Sequence, residues 1–380
     1  MSARSVLFAN DFPPVTSGIS TYLSKLWQHM PPDRAEVFAP KVTGSELVDA
    51  AFPVAVHRVP MPLGENLPAK LVKSAVPAAW LLNRILDRTP SKLHCGQVFS
   101  SGWLGYACKK WFGIPYVVYV YGSETARLAG SARTQDLMTS ILNEAEHVVA
   151  DSDSTKDEFR DFGIPRDKLM RIYPGVDPLV FAPSPPDPVW VKRLGLEGKR
   201  VLLTVARLDQ RKGHDTVIRA MPDLPDDVVY LIPSRGREED RLKALVTELG
   251  QDDRIQFLGF VSDDDLPKLY NLCDIHVMPN RVTEGTELAG DLEGFGITFV
   301  EAGACGKPVI GGRSGGAVES VLHGQTGLLV DPTSGEEVVQ AILSLLDNPD
   351  EARQLGSQAR ERVERELDWR ILAEDLRAIL

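Results

Sequence analysis

The sequence predicts an α/β chain of two Rossmann-like, doubly wound domains facing a central cleft. Short apolar runs of strand length alternate with longer amphipathic stretches, the alternation occurs twice, and a proline cluster parts the two series. Such alternation builds parallel sheets covered on both faces, because each crossover helix packs back onto the sheet it leaves. A length of 380 residues also exceeds the usual single domain.

In the first series the strand candidates are residues 6–9, 36–39, 54–59, 116–120, 147–150 and 169–172, with helical patterns over 19–30, 102–112 and 134–144. In the second series they are 201–206, 228–232, 255–258, 275–278, 309–310 and 328–330. Helical patterns there cover 215–221, 238–249, 264–272, 297–304 and 336–346. The turn Pro174-Gly-Val-Asp177 precedes Pro183, Pro185, Pro186 and Pro188, a cluster that continues neither a helix nor a central strand. The expected domains are therefore 1–178 and 179–365, and a cleft between them is the expected place for a ligand.

Residues 1–180 hold 19 Lys/Arg against 18 Asp/Glu, and the remainder 23 against 35. An acidic second half argues against a nucleic-acid binder, which needs a basic face for the phosphate backbone. Cys95, Cys108, Cys273 and Cys305 lie far apart with no Cys-x-x-Cys pair, which fits small buried side chains in a reducing cytoplasm. No apolar run reaches the roughly 20 residues that span a bilayer, and the first apolar run is too short for a signal-peptide core.

Three glycine-containing turns sit between a strand and a helix, where backbone N–H groups and the helix dipole favour an anion. They are Pro13–Gly18, Ala206–Gly213 and Gly311–Gly316. The second carries Arg207 and Lys212, suited to a diphosphate by a planar fork and a point charge respectively. None has the spacing of a dinucleotide or ATP loop. The most informative stretch is Asp291–Pro308. Glu293 lies in a Gly-flanked turn, and Glu301, eight residues on, falls roughly 80° away on a helix, so both could address one cleft. A Glu inside an apolar helix is costly to bury without a partner, and a ribose diol would serve. The spacing itself is not diagnostic, because Glu366 and Glu374 repeat it.

These pieces together resemble the family 4 glycosyltransferases of the GT-B fold: Glu293-Gly294-Phe295-Gly296-Ile297 with Glu301, then Ala304-Cys-Gly-Lys-Pro-Val-Ile310, then Ser314-Gly-Gly316 with Glu319. Phe12-Pro-Pro, Gly18, Pro174-Gly-Val-Asp177, Ala206-Arg-Leu with Lys212-Gly213, and Gly324 with Gly327-Leu-Leu-Val330 agree in order. The resemblance covers nearly the whole chain and looks closest to phosphatidylinositol mannosyltransferase-like α-transferases. It implies a retaining hexosyl transfer from a nucleotide-diphosphate sugar, a GDP- or UDP-sugar, to a hydroxyl of a lipid, oligosaccharide or small molecule, with no cofactor and no metal. By the same resemblance Arg207 and Lys212 neutralise the departing diphosphate and Glu301 binds the donor ribose. Glu293 with Gly294, Phe295, Gly296 and Ile297 holds the transferred sugar and phosphate, and Gly18 closes on the diphosphate. Base contacts fall near Gly259 and Val261, the first domain serves the acceptor, the second serves the donor, and the last stretch, 366–380, crosses back to the first domain.

One departure stands out. Tyr121-Gly-Ser-Glu124 occupies the place of the family's His-Gly-x-Glu, and the absent His is the one that contacts the donor sugar. Tyr121 offers a hydroxyl of pKa about 10, a hydrogen-bond donor and a poor base. The alternatives are thus a GT-B-fold nucleotide-sugar epimerase, or a catalytically weak sugar-binding variant. Asp151-Ser-Asp153 has the form of a metal-binding Asp-x-Asp but reads better as a helix start, with Thr155 and Glu158 spaced as a capping box. Residues 68–92 carry Lys70, Lys73, Arg84, Arg88 and Lys92 beside Trp80, Leu81 and Leu82. A packed helix with a solvated basic face is the plainer reading, and peripheral contact with the inner membrane face is the other.

Overall fold

The computed structural model describes residues 4–60, 67–87, 89–122, 124, 132–283 and 292–380. Arg88, Ser123 and Asp291 lie outside the described residues, as do the side chains of Lys70 and Lys73. The chain divides into two compact units, Met1–Pro174 with Trp369–Leu380, and Gly175–Asp368.

The first unit holds β1 (Ser5–Phe8), β2 (Ala35–Pro40), β3 (Ala55–Val59), β4 (Lys92–Cys95), β5 (Tyr116–Val120), β6 (His147–Ala150) and β7 (Leu169–Arg171). They form one sheet in the order β3-β2-β1-β4-β5-β6-β7, with every pair parallel. Alternate residues of each central strand serve opposite faces, as the two-residue period requires. Val6, Phe8, Tyr116, Val118 and Val120 join one apolar cluster. Leu7, Val117 and Tyr119 join the other, which is completed by Tyr22, Leu23 and Leu26 of the Gly18–Trp27 helix and by Trp369, Leu372, Ala373 and Leu376. Both faces are covered, which is why these strands read as unbroken apolar runs.

β4 went unread in the sequence because Lys92 and His94 break its apolar character. His94 is nevertheless fully buried, edge-on to Trp27 and 3.2 Å from the Tyr119 hydroxyl. Burial pushes its pKa down to about 3, so it is a neutral core residue.

Ser152, not Thr155, is the helix cap: its Oγ accepts from the Thr155 N–H at 3.0 Å, and the helix runs Asp153–Asp161. The helix start read at 152–158 therefore holds and only the Thr155/Glu158 capping box was misplaced, while Asp151 accepts from Thr155 Oγ1 and Asp153 pairs with Lys156 and Arg171. In the Leu67–Asp87 helix, Trp80 packs on Phe8 and Phe38. Arg84 forks onto buried Glu36 at 2.8 and 2.7 Å. Arg84 therefore turns inward rather than lining a solvated basic face, and among the described side chains of this helix the large apolar Leu82 and Leu86 are exposed.

The second unit holds β8 (Arg200–Leu203), β9 (Val228–Ile232), β10 (Ile255–Phe257), β11 (Ile275–Met278), β12 (Val309–Gly312) and β13 (Gly327–Val330). Their order is β10-β9-β8-β11-β12-β13, again with every pair parallel. The strand order reverses between β8 and β11, and in such sheets ligands bind outside the strand C-termini at that switch point. The loops after β8, β11 and β12 all emerge there. The Pro349–Arg362 helix, unread in the sequence because it is mostly polar, is pinned by its arginines. Arg360 donates to the carbonyls of Pro178, Phe181 and Ala304, and Arg362 to those of Glu319 and Ser320. The four cysteines are buried and free, and burial pushes the Cys108 thiol up to about 11 and those of Cys273 and Cys305 up to about 12.

Candidate active site

In the second unit the loop after β8 ends in a single 3₁₀ turn, Gln210–Lys212, followed by the His214–Ala220 helix. That turn aims two adjacent cations at one carboxylate. Arg211 Nη1 donates to Glu293 Oε2 at 2.7 Å, and Lys212 Nζ donates to the same oxygen. Glu293 and Lys212 are each only 8% exposed. Burial works to raise the Glu293 carboxyl, but the charges of Lys212 and Arg211 overcome it and hold it below the ordinary range. Burial lowers the Lys212 ammonium, Glu293 opposes this, and Arg211 and Arg207 add to it.

Arg207, which the sequence paired with Lys212, is not brought to this cluster. Its side chain is 74% exposed, 3.3 Å from Asp209. The loop backbone is anchored within the unit: the Arg207 carbonyl accepts from His214 Nε2 at 3.3 Å, and Leu208 N–H donates to the Arg235 carbonyl. The Tyr230 hydroxyl bridges His214 Nδ1 and Thr204 Oγ1, so the loop is held from beneath. Burial pushes His214 down to about 4, keeping it neutral.

The glycine turn after β12 joins the same cluster through its backbone. Gly316 N–H donates to the Glu293 carbonyl at 2.8 Å, and a Cβ at Gly316 would overlap the carbonyl oxygen of Gly294. Asn280, fully buried after β11, clamps the turn by accepting from Gly312 N–H and donating to the Ser314 carbonyl, both at 3.1 Å. The helix that follows is one turn, Ala317–Ser320. A single turn has little macrodipole. Gly296 has φ +85°, and a Cβ there would sit 2.7 Å from the Phe299 ring. It lets Phe295 stay buried while the Ile297–Ala304 helix starts at once.

On that helix Glu301 accepts a hydrogen bond from the buried Tyr270 hydroxyl at 2.7 Å. Gly259 lies beside the Arg235 guanidinium, Phe260 is exposed, and Val261 packs on the apolar cluster of the unit. Sequence reading missed Arg211, Tyr270 and Asn280.

Gly18 and Tyr121 belong to the first unit. Gly18 opens its helix beneath a Ser17 cap, and nothing lies within 4 Å of where its Cβ would be. Tyr121 differs from expectation: its hydroxyl donates to the Gly96 carbonyl at 2.9 Å, and its ring stands edge-on to Tyr22. Its N–H donates to Glu124. Burial raises its pKa well above the ordinary value, and its one proton is spent within the unit.

The family model described as "Glycosyltransferase Family 4" matches residues 16–178, and "Glycosyl transferases group 1" matches 188–362. The GDP-mannose-dependent alpha-(1-6)-phosphatidylinositol monomannoside mannosyltransferase of Mycobacterium tuberculosis is 31% identical, covering 98% of this chain and 97% of its own. The chain is a family 4 glycosyltransferase. A monoacylated-substrate counterpart from Corynebacterium glutamicum is 30% identical over 100% of this chain and 98% of its own. Among solved structures, Anabaena Alr3699/HepE in complex with UDP and glucose superposes with a TM-score of 0.82 at 21% identity, covering 100% and 99% of the two chains. Sucrose-phosphate synthase from Thermosynechococcus elongatus gives 0.80 at 22% identity, covering 100% and 98%. These likenesses establish the GT-B fold. As a member of this family the chain is a retaining hexosyltransferase that uses a nucleotide-sugar donor and a hydroxyl acceptor, and the epimerase reading gains no support.

For this glycosyltransferase, Tyr121→Phe should cost about 1 kcal/mol of stability, the worth of one hydrogen bond, and leave transfer within about twofold. A tenfold fall in kcat with folding intact would return the hydroxyl to the donor sugar.

Proposed function

We propose that the chain transfers mannose from GDP-mannose, with retention, to a hydroxyl of a phosphatidylinositol-mannoside-type glycolipid. The observation that carries the chemistry is the convergence of Lys212 and Arg211 on Glu293 at the switch point, beside the glycine turn. The donor and acceptor follow from full-length relatives at 30 and 31% identity that bear that activity in their names. In this reading the second unit binds the donor and the first the acceptor. Glu301 holds the ribose, the Gly259–Val261 loop meets the base, and the Glu293–Ile297 turn meets the sugar and phosphate. The acceptor hydroxyl attacks C1 on the face the diphosphate leaves, its proton passing to the departing phosphate oxygen. Lys212 and Arg211 stabilise the charge that develops on that group, and Arg207, exposed beside Asp209, swings in to join them, which assigns no step to a metal ion. At Gly18 neither packing nor backbone conformation within the unit asks for glycine, which suits a backbone that must approach a diphosphate.

The acceptor class also supports peripheral membrane contact. Among the described residues no helix is long and apolar enough to cross a membrane. Trp111 and Phe112 are exposed at a helix end beside Lys109 and Lys110, and Leu82 and Leu86 are exposed on the Leu67–Asp87 helix. Apolar side chains next to cations suit an anionic surface.

One experiment addresses donor, acceptor and metal together. Radiolabelled GDP-mannose and UDP-glucose are offered with acceptor lipid in anionic vesicles, with and without EDTA. Mannose transfer from GDP-mannose that survives EDTA and co-sediments with the vesicles is the expected result. Transfer from the UDP-sugar alone would overturn the donor assignment, and loss with EDTA would overturn the metal-free mechanism.

A further inference from the structure

Glu301 is an ionisable group on a helix whose neighbouring residues Phe299, Val300, Ala302, Gly303 and Ala304 are all buried. One of its oxygens, Oε2, is occupied by the Tyr270 hydroxyl at 2.7 Å, and among the described residues no donor meets the other. Tyr270 itself is fully buried and boxed in by rings: Phe181 stands edge-on at 5.9 Å and His276 at 5.7 Å, with His276 in turn edge-on to Phe299 at 5.6 Å. A phenol fixed on several sides has one place for its hydroxyl, and that place is Glu301.

We propose that Tyr270 is a positioning residue of the donor site: by holding Oε2 it fixes the Glu301 carboxylate with Oε1 turned to accept from the ribose diol of the nucleotide. The proposal rests on the reading of Glu301 as the ribose ligand. A carboxylate free to rotate would lose this geometry, and a protonated one would offer one acceptor fewer.

The second point matters at this site. Burial, with the Asp263 charge adding to it, pushes the Glu301 carboxyl up to about 7, and the Tyr270 hydrogen bond pulls it down. The groups that face it are Tyr270, Asp263 and, one turn along its own helix, Cys305. Removing the hydroxyl therefore raises the carboxyl further and leaves more of it protonated at pH 7. Above that range the carboxylate is ionised with or without its partner.

The test compares wild type, Tyr270→Phe, Glu301→Gln and the double variant by calorimetric binding of GDP and of 2′,3′-dideoxy-GDP, and by transfer kinetics. At pH 7, Tyr270→Phe should weaken GDP binding and raise the donor KM about tenfold, the size of a hydrogen bond to a charged group, with kcat within twofold. The deficit should shrink by pH 9, vanish for the dideoxy nucleotide, and add nothing to Glu301→Gln. The ratio of the two affinities in one preparation is independent of the folded fraction, so it reads the proposal even if Tyr270→Phe is less stable. Equal loss for both nucleotides would show Tyr270 to be merely structural. GDP binding weakened by Glu301→Gln but not by Tyr270→Phe overturns this proposal alone. Binding unaffected by either variant overturns the reading of Glu301 itself.

Discussion

Lys212→Met should lower kcat/KM for the nucleotide-sugar by about 10²–10³-fold, the usual consequence of losing one fixed charge where a leaving group develops its own. The side chain is buried and its ammonium is shared with Glu293, so bulk water cannot substitute for it. Stability should fall as well. Removing one partner of a buried ion pair costs roughly 3–5 kcal/mol, and the loss here should lie below that range because Arg211 still meets the same carboxylate oxygen. Steady-state kinetics and denaturant unfolding on one preparation separate the two effects. A variant that unfolds earlier but keeps full kcat/KM would remove Lys212 from the donor site.

Glu293→Gln is the complementary experiment, and its largest effect should be on the fold. At pH 7 it leaves Lys212 and Arg211 buried without their shared anion, a loss of about 3–5 kcal/mol. The sign of the pH dependence follows from the depressed carboxyl. Glu293 contributes stability above its ordinary value of 4.5 and loses it as the pH falls through the lowered folded value. The gap between wild type and variant should therefore be full at pH 6–8 and close progressively below pH 4.5. Adding GDP should recover more stability in the variant than in wild type, since the diphosphate supplies the missing charge. Equal unfolding midpoints at pH 7 would mean that the cation pair does not depend on Glu293.

The strands at Tyr116–Val120 and Val228–Ile232 could be read from the sequence because full burial on both sheet faces demands unbroken apolar runs. β4 could not, since His94 is neutral in its core site yet counts as polar in a pattern. Lys212 stood out beside its glycine, whereas Arg211 was passed over for Arg207. Neighbouring side chains on an extended segment point to opposite sides, and only the 3₁₀ turn at Gln210–Lys212 brings both cations to one oxygen. Tyr270 and Asn280 read as ordinary core positions because their partners lie 31 and 34 residues away, a distance no local pattern encodes. Tyr121 was noticed as a departure, but its tie to Gly96, 25 residues earlier, depends on how β4 and β5 lie side by side.

The return of Trp369–Leu380 to the first unit has a consequence for how the protein is made. The sheet face beneath the Gly18–Trp27 helix is closed by Trp369, Leu372 and Leu376, which leave the ribosome after the whole of Gly175–Asp368. The second unit is a continuous stretch that can fold as soon as it emerges, while the first waits with one apolar face uncovered. At a synthesis rate of roughly 5–20 residues per second, that wait lasts on the order of ten to forty seconds. The unit that begins the chain is thus the last to be finished.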